Sequence, residues 1–510
     1  MKITFIHPPA LVSIGNYSAF AQPPIGISYL AAYMRAKGHS VSVVDAVGAA
    51  IARYRPWHSS RSQFIQGLSF REIAQMIPRD TEVLAVSCMF THAWPMVREM
   101  IIFLKKELPN ARMIAGGEHI TGMYESVLSH SPVDICILGE GEVTLGELFS
   151  VFERREKDLS YIHGIAYIGD GGQVVKTASR ERVRNLRELP KPAWDLVDPK
   201  VYMKFGYFSG PRVGRPMPML VSRGCPYECT FCTAPSMWGR VWVPRDPADV
   251  IDEIEGYARR YGATDFQFVD TNAFVGKDSV IAFCDEIEKR KLKIQWQIPV
   301  GIRPETIDDN IARRLARAGC RYVLLAPETG SYRMQRIIKK RVNLSALDIA
   351  AKALVRAGVR FGVVFIIGFP QETREDMCAT FRCIRRMARL GADEVGVSVC
   401  AVLPGTELFR QIGQVQPILE DDEFCHRATG ATSLFQVRSW NSNISNRALC
   451  RLRLWALIQF FTLLFYYHPQ KIIRFIWNII CSREEIKVHR IVREAANKIR
   501  VYGGRFFIKA

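Results

Sequence analysis

Short, continuously apolar runs alternate with stretches of helical periodicity in the first 150 residues. The apolar runs that predict buried strands are Ile3–Ile6, Val41–Val44, Val83–Ser87, Arg112–Ala115 and Asp134–Leu138. The stretches that predict helices are Gly26–Lys37, Pro95–Leu108 and Tyr124–Ser129. Continuous apolar strands that alternate with helices are typical of a parallel, doubly wound sheet covered by helices. We therefore predict an α/β, Rossmann-like domain over residues 1–150.

Turns rich in glycine and proline follow three of these strands. Their sequences are His7-Pro8-Pro9, Gly116-Gly117-Glu118-His119 and Gly139-Glu140-Gly141-Glu142. Open parallel sheets bind ligands beyond the carboxyl ends of their strands, and glycine lets the backbone approach a ligand closely. The pattern therefore predicts a site for a bulky ligand at this edge of the sheet.

A second region of strand–helix alternation follows residue 212. Residues 151–212 predict a linker with a hairpin around Gly171-Gly172, since the segment 189–195 has too many prolines for a helix. The strands predicted within residues 213–410 are Met219–Ser222, Asp265–Asp270, Ile294–Val300, Tyr322–Ala326, Arg360–Ile367 and Glu394–Ala401. Six such units indicate a partial or closed (βα)6 barrel, with its site at the strand C-termini.

Residues 411–510 predict a helical, basic region with one strongly apolar run, Leu454–Tyr467. Its fourteen residues are fewer than the roughly 20 that span a bilayer. A helix that lies in a membrane interface fits its aromatic residues and basic flanks. These are Trp455, Phe460, Phe461, Phe465, Arg451, Arg453, Lys471 and Arg474. The alternative is a core helix of a C-terminal domain or a lid over the barrel, and the pattern does not separate the two.

The formal net charge of +19 suggests an anionic partner. Ten Lys and Arg against three Asp and Glu lie in residues 471–510, beside the apolar run, which favours a membrane surface. No motif of a nucleic-acid-binding module is present, so nucleic acid is not expected. The run Ile3–Ile6 is too short for a signal peptide, and an odd number of cysteines, thirteen, fits a reducing compartment. We expect a cytoplasmic protein, peripheral on the inner membrane if the helix binds lipid.

Three cysteines form a tight loop directly after the first strand of the predicted barrel. The loop reads Cys225-Pro-Tyr-Glu-Cys229-Thr-Phe-Cys232. Soft thiolates select Fe–S clusters, zinc or Cu(I). A structural zinc site wants four ligands, but no histidine lies between His163 and His426, and the next cysteine is Cys284. Three ligands on a cubane leave one iron open to a small molecule, so an Fe–S cluster is favoured over zinc.

The loop resembles the motif of the radical S-adenosylmethionine (SAM) superfamily, Cys-x3-Cys-x-aromatic-Cys, with Phe231 as the aromatic residue. The resemblance implies that Cys225, Cys229 and Cys232 bind a [4Fe–4S] cluster, and that SAM binds the open iron through its amino and carboxylate groups. It also implies reductive cleavage of SAM to methionine and a 5′-deoxyadenosyl radical. A reductant such as flavodoxin or ferredoxin would supply the electron.

Four further segments resemble the superfamily in the same order. By this resemblance Asp270 contacts the SAM amino group, although the usual Gly-Gly-Glu is replaced here. Glu328 contacts the ribose or the amine, and Gly368 lies in a loop near the adenine. The segment 404–408 resembles the end of the barrel core.

The first 150 residues resemble the cobalamin-binding domain that precedes many radical SAM cores. The resemblance rests on the segment 22–26 and on the turns at the strand ends. The residues it implies at the cobalamin site are Pro8, Gly116, Gly117, His119, Gly139, Glu140, Gly141 and Glu142. A side chain at Gly117 is expected to fill space that the corrin needs. The signature Asp-x-His-x-x-Gly, which supplies a histidine to cobalt in other cobalamin domains, is absent, so His7 and His119 are expected to be neighbours only.

The combined resemblance implies a cobalamin-dependent radical SAM methyltransferase. Its substrate would be a hydrophobic molecule of the tetrapyrrole or hopanoid kind, or a natural product, methylated at an unactivated carbon. An enzyme of the same architecture that does not methylate, the anaerobic oxidative cyclase of magnesium-protoporphyrin ester, is the alternative. A non-catalytic cobalamin or Fe–S sensor is a third. The sequence identifies neither the substrate nor the catalytic residues.

Overall fold

The computed structural model describes residues 1–13, 22–206, 208–416, 418, 421–431, 433, 437–481 and 483–490. Up to residue 206 the strands are β1 (Lys2–His7), β2 (Ala10–Ser13), β3 (Ser40–Asp45), β4 (Tyr54–Trp57), β5 (Ser60–Gln66), β6 (Val83–Ser87), β7 (Arg112–Gly116), β8 (Ile135–Ile137), β9 (Ile165–Ile168) and β10 (Val174–Lys176). The helices are α1 (Ile25–Ala36), α2 (Phe70–Met76), α3 (Trp94–Glu107), α4 (Glu118–His130), α5 (Glu142–Arg154) and α6 (Pro199–Phe205).

A seven-stranded sheet in the order β10-β9-β8-β7-β6-β1-β3 forms the N-terminal domain. The five strands from β8 to β3 are parallel, and buried apolar clusters pack on both faces. The hairpin β9–β10 joins β8 in antiparallel fashion, so the sheet extends into the segment predicted as a linker. A small sheet, β2-β5-β4, was not predicted; Pro56 within β4 argues against a strand in sequence terms.

The barrel and its helices occupy residues 216–399. The strands are β11 (Pro216–Met219), β12 (Ser222–Gly224), β13 (Trp242–Pro244), β14 (Asp265–Phe268), β15 (Gln295–Ile302), β16 (Cys320–Glu328), β17 (Arg360–Ile367) and β18 (Glu394–Val399). The helices are α7 (Ala234–Trp238), α8 (Pro247–Tyr261), α9 (Lys277–Lys289), α10 (Asp309–Arg317), α11 (Tyr332–Ile337), α12 (Leu344–Ala357) and α13 (Arg374–Leu390).

Six parallel strands in the order β11-β14-β15-β16-β17-β18 form an open, partial barrel. The prediction of six βα units is confirmed, except that the first predicted strand is divided between β11 and β12. Local signals set the helix ends: Thr373 and Asp376 form a capping box that begins α13, and Gly391, with φ of 91°, ends it.

The N-terminal ends of the barrel strands are covered by residues 483–490. Glu485 pairs with Arg360, the first residue of β17. The Val488 amide donates to the carboxylate of Glu394 (3.3 Å), the first residue of β18, and the Tyr322 hydroxyl donates to the same carboxylate (2.5 Å). Because this end is closed by partnered polar groups, a ligand site is left to the opposite end, where the strand C-termini lie.

Among the described residues that follow the barrel, four α-helices are present: α14 (Glu407–Val415), α15 (Asp422–Arg427), α16 (Asn446–Tyr467) and α17 (Gln470–Ile480). Helix α16 packs against α13 and β18 and places Leu449 and Phe460 in the barrel core. The expectation that Phe460 and Arg453 meet lipid is wrong, because both are buried and Arg453 donates to the Ala431 carbonyl (3.2 Å). Within the described residues, α16 alone is long and apolar enough to cross a membrane. Core helices of soluble proteins have the same length and composition, so these two properties do not identify a membrane span.

Candidate functional site

The three cysteines lie on the turn between β12 and α7. Cys229 is buried, Cys225 and Cys232 are half-buried, and all three are free thiols. Burial raises the pKa of Cys229, and raises that of Cys232 to about 12; a soft metal displaces such a proton. In the described part of the chain, no group of three or more His, Cys, Asp or Glu side chains is arranged to hold a single metal ion. Three thiols on one turn fit the donor set of an Fe–S cluster.

The cysteine loop contacts the other segments that the sequence analysis singled out. The Thr230 amide donates to the Ile338 carbonyl (3.0 Å), and the Thr230 carbonyl accepts from the Leu408 amide (2.8 Å). The Phe231 ring meets Phe369 edge-on, with 5.7 Å between ring centroids. The residue after α11, the loop after β17 and the segment 404–408 are thus gathered around the cysteines at the C-terminal face of the barrel.

Glu328 ends β16 with a φ of 65°, a conformation that residues other than glycine rarely adopt and that often marks a functional site. Its carboxylate accepts from Lys340 Nζ at 3.1 Å, and both side chains are almost buried. Burial opposes the charge on Lys340, but the Glu328 carboxylate and the Cys229 thiolate outweigh it and raise the lysine pKa. Lys340 gave no signal in the sequence, because a lysine in a basic run usually lies on the surface.

Asp270 is buried two residues beyond β14. Its Oδ1 accepts from the Val221 amide (2.9 Å), the Ser222 amide (2.6 Å) and the Ser222 hydroxyl (2.9 Å). The other oxygen, Oδ2, is buried without a hydrogen-bond partner among the described residues, and burial raises the pKa of the carboxyl to about 7. Its contact with SAM stays a prediction. The structure adds an anchoring role, since Ser222 lies three residues before Cys225.

Gly368 makes room for the C-terminal region. It has a φ of 81°, and a Cβ there would lie 2.9 Å from the Leu449 side chain of α16. The Glu372 carboxylate accepts from the amides of Gly368 (2.5 Å) and Phe369 (3.3 Å). The Asn441 side-chain amide donates to the Phe369 carbonyl (2.9 Å). The loop is therefore held from two sides, and its proximity to adenine stays a prediction.

The carboxyl-end edge of the N-terminal sheet lies against the cysteine loop. The Thr121 hydroxyl of α4 is 3.6 Å from the Met237 sulfur of α7. A Cβ at Gly139 would lie 3.4 Å from the Met237 carbonyl, and a Cβ at Gly122 would lie 3.0 Å from the backbone of Pro404. The two ligand-binding faces that the sequence predicts therefore meet.

Exposed apolar side chains mark the same edge. Phe90 and Met89, which follow β6, are 60% and 43% exposed, although a buried strand precedes them. Glu118, the first residue of α4, is half-buried, and burial raises its pKa to about 7. Exposed apolar groups at the carboxyl-end edge of the sheet fit a large, flat ligand such as a corrin. The sequence feature that indicates this exposed surface is the apolar pair Met89-Phe90, just past the end of β6.

Gly117 serves the packing of the sheet. It has a φ of 117°, and a Cβ there would lie 2.5 Å from the Cys88 carbonyl of the neighbouring chain segment. We expected a side chain at Gly117 to occupy space that the corrin needs. That reason is wrong, because the side chain would first meet the backbone of Cys88. His119 is 2% exposed, with Nδ1 3.3 Å from the Thr91 hydroxyl and its ring against Trp94. Burial lowers the pKa of His119 to about 3, which keeps the ring neutral.

Glu140 and Glu142 are buried in ion pairs. Glu140 accepts from Arg182 Nε (2.6 Å), and Glu142 accepts from Arg223 (2.7 Å). Their carboxylates are thus committed to protein partners, a role that the sequence did not suggest. For all eight residues predicted at the cobalamin site, Gly117, His119, Glu140 and Glu142 included, contact with cobalamin stays a prediction.

Comparison with protein families identifies both regions. Residues 13–149 match the B12 binding domain, and residues 219–384 match the Radical SAM superfamily. The two domains therefore follow each other in the predicted order, and the predicted fold class is confirmed.

Individual relatives cover most of the chain. An uncharacterized methyltransferase of Pyrococcus horikoshii is 27% identical over 411 residues, 80% of this chain and 82% of that protein. The anaerobic magnesium-protoporphyrin IX monomethyl ester cyclase of Rubrivivax gelatinosus is 26% identical over 428 residues, 83% of this chain and 72% of that protein. The fold is similar to that of the cobalamin-dependent S-adenosylmethionine radical enzyme OxsB with aqua-cobalamin and S-adenosylmethionine bound; the TM-score is 0.68 at 15% identity, with 100% of this chain and 81% of that chain covered.

Proposed function

We propose that this chain, which is a radical SAM enzyme with an N-terminal B12-binding domain, methylates an unactivated carbon of a hydrophobic small molecule. Its cofactors are a [4Fe–4S] cluster, SAM and cobalamin. When bound, they supply a 5′-deoxyadenosyl radical for hydrogen abstraction and a methyl group for transfer. The similarity to a methyltransferase over 80% of the chain supports this proposal.

The observation that carries the proposal is the contact between the two ligand-binding faces. Helix α4 begins at the edge of the N-terminal sheet and packs against α7, which follows Cys232 directly. A substrate held at this junction would be within reach of groups bound on both faces. A relay between two cofactors needs this arrangement, because each must meet the same carbon.

The residues of the chain have defined tasks in this proposal. Cys225, Cys229 and Cys232 would hold three irons and leave the fourth for SAM. Lys340 would hold the Glu328 carboxylate in place for the SAM ribose or amine. The packed rings of Phe231 and Phe369 would keep water from the radical.

The proposal is tested with SAM that carries a deuterated methyl group. Anaerobically reconstituted, reduced enzyme is incubated with this SAM and with an apolar extract from a strain that lacks the gene. We expect a product that gains a CD3 group and co-elutes with the compound lost in the strain. A Cys229→Ala enzyme is the control and should give no label. Consumption of an extract component without transfer of deuterium would overturn the methyltransferase assignment.

A second candidate is the oxidative cyclase, which the 26% identical Rubrivivax gelatinosus relative supports. It uses the same architecture, so the two functions differ in the product. A lost compound that contains an additional ring or oxo group, without a new methyl group, would favour the cyclase. A hydrophobic substrate of the tetrapyrrole or hopanoid kind is part of our proposal, and the Rubrivivax gelatinosus relative supports a tetrapyrrole.

We also propose that the C-terminal helices hold the enzyme on an anionic membrane surface. On α17, Ile473, Ile476, Trp477 and Ile480 form one face at helical spacing, and each is at least half exposed. On α16, Trp455 and Ile458 are exposed as well. Contiguous exposed apolar side chains of this kind mark interaction sites. The basic flank is smaller than the sequence suggested, because Lys471 is paired with Asp393 (2.6 Å) and both side chains are half-buried.

A further inference from the structure

Two arginines and two glutamates form a buried network between the domains. Glu140 accepts from Arg182 Nε (2.6 Å) and from Arg223 Nη1 (3.2 Å), and Glu142 accepts from Arg223 Nη2 (2.7 Å). All four side chains are at least nine-tenths buried. The Val183 amide donates to Glu140 as well (3.1 Å). Two positive and two negative charges therefore balance in one enclosed cluster.

The network joins the segments that carry the two cofactor sites. Glu140 and Glu142 follow the end of β8, at the edge that faces cobalamin, and Arg223 lies in β12 two residues before Cys225. On the other side of the loop, Arg182 donates to the Trp238 carbonyl at the end of α7 (2.6 Å). The root of the cysteine loop and the helix that leaves it are thus both tied to the turn 139–142.

The geometry of Arg223 suits a fixed spacing. Its guanidinium spreads two donors over two carboxylates and lies over the ring of Tyr29, 4.9 Å from the centroid. A planar fork of this kind allows one orientation, whereas an apolar contact can slide. An ion pair on the surface would be screened by salt and would contribute little to stability. The Arg223 pairs are buried and therefore sheltered from water.

We propose that Arg223 is a positioning residue that sets the distance between the cluster loop and the cobalamin edge. Arg223 contacts neither SAM nor cobalamin in this proposal. The proposal rests on the proposed function, because only a two-cofactor relay depends on that distance. Without Arg223 the domains would still bind their cofactors, but the separation of the two sites would vary.

The test uses the full-length holoenzyme with its cluster and with cobalamin added as hydroxocobalamin. The reduced cluster and Co(II) cobalamin are both paramagnetic, so pulsed EPR measures the magnetic interaction between them. We expect Arg223→Gln to bind both cofactors at wild-type stoichiometry and to form 5′-deoxyadenosine within about threefold of the wild-type rate, while the interaction broadens into a spread of distances. Arg223→Lys keeps the charge but not the fork and should restore little.

Glu394→Gln is the matched control, because Glu394 is equally buried but pairs with Tyr322 at the opposite, N-terminal end of the barrel strands. It should leave the interaction unchanged. Glu142→Gln weakens only the contact with Arg223 Nη2. This variant replaces Arg223→Gln in the test if Arg223→Gln does not fold. An interaction in Arg223→Gln and Glu142→Gln that equals the wild type overturns the proposal, as does broadening of the same size in Glu394→Gln.

A measurement without cofactors separates this proposal from the proposed function. Amide hydrogen exchange of the cofactor-free chain should increase at residues 139–142 and 223–225 in Arg223→Gln, and not in Glu394→Gln. If the wild-type protein failed to bind cobalamin, the proposed function would fall, and hydrogen exchange alone would decide whether Arg223 anchors the loop. Exchange equal to wild type at both segments would overturn the anchor.

Discussion

Lys340 Nζ lies 3.1 Å from a carboxylate oxygen of Glu328, and both side chains are almost buried beside the cysteine loop. Removal of one member of a buried pair leaves the other charge without compensation, which typically costs about 3–5 kcal/mol. The pair therefore fixes an acidic group of defined orientation where SAM is expected to bind.

Replacement of Lys340 by Met should weaken SAM binding. The Glu328 carboxylate would then lose its cationic partner and its fixed orientation, and we expect the Kd for SAM to rise by about ten- to a hundredfold, or about 1.4–2.8 kcal/mol. Lys339→Met is the matched control, since Lys339 pairs with Glu407 at the surface (2.8 Å), where such pairs contribute about 0–1 kcal/mol. Equilibrium dialysis on the reconstituted enzyme measures both. Equal affinities of the two variants would contradict the prediction.

Loss of any one cysteine of the loop should abolish SAM cleavage. Cys225→Ala, Cys229→Ala and Cys232→Ala each remove one of the three ligands, so we expect depleted iron and sulfide and no 5′-deoxyadenosine. Cys88→Ala and Cys136→Ala are the controls, because both thiols are buried in the N-terminal domain. They should retain cluster and cleavage. Full activity in Cys229→Ala would remove the basis of the cluster assignment.

The cysteine motif and the strand ends could be predicted because their signals are local. The spacing of the cysteines and the alternation of apolar runs lie within short windows, and the six strands of the barrel follow them closely. Ion pairs across the fold have no local signal: Glu140 and Arg223 are 83 positions apart and meet only when the domains pack. For α16 the reason differs. A run that is apolar on all sides does not show which face is buried, so the burial of Phe460 was missed.

Gly139 and Gly172 should differ in their effect on cobalamin. Both have a positive φ, 75° and 77°, so alanine costs each about 1–2 kcal/mol of backbone strain. Only Gly139 lies at the edge that faces the cysteine loop, whereas Gly172 has open space around it in the β9–β10 hairpin. We expect Gly139→Ala to raise the Kd for cobalamin at least tenfold and Gly172→Ala to leave it unchanged, as measured by spectral titration. Equal increases in the Kd of the two variants would show that the corrin does not bind next to Gly139.

The Glu372 carboxyl should make stability depend on pH. Burial raises its pKa to about 8, against an ordinary value near 4.5, although two backbone amides donate to it. The folded protein therefore holds the proton more tightly than the unfolded chain. The contribution of this carboxyl to the free energy of unfolding is complete below about pH 4.5. It is lost as the pH rises to 8, by at most about 1.4 kcal/mol per pH unit.

Glu372→Gln keeps an acceptor for the Gly368 amide and removes the titration. In urea unfolding at pH 5.5 and pH 9, we expect wild-type stability to fall by on the order of a few kcal/mol more than that of the variant. A difference between the two proteins that does not change with pH would show that this carboxyl is ionised throughout.

The exposed apolar face of α17 should bind anionic membranes. Burial of Ile473 and Trp477, which are 74% and 57% exposed, in the headgroup region contributes about 25 cal/mol for each Å² of apolar surface removed from water. We expect the protein to sediment with anionic vesicles at low salt and to dissociate in part as salt rises, because screening weakens the electrostatic share. Ile473→Ser with Trp477→Ser should abolish sedimentation. Ile349→Ser is the control, since Ile349 is 53% exposed on α12, apart from this surface. Wild-type protein that stays in the supernatant at low salt would exclude the membrane and leave the face for a protein or substrate partner.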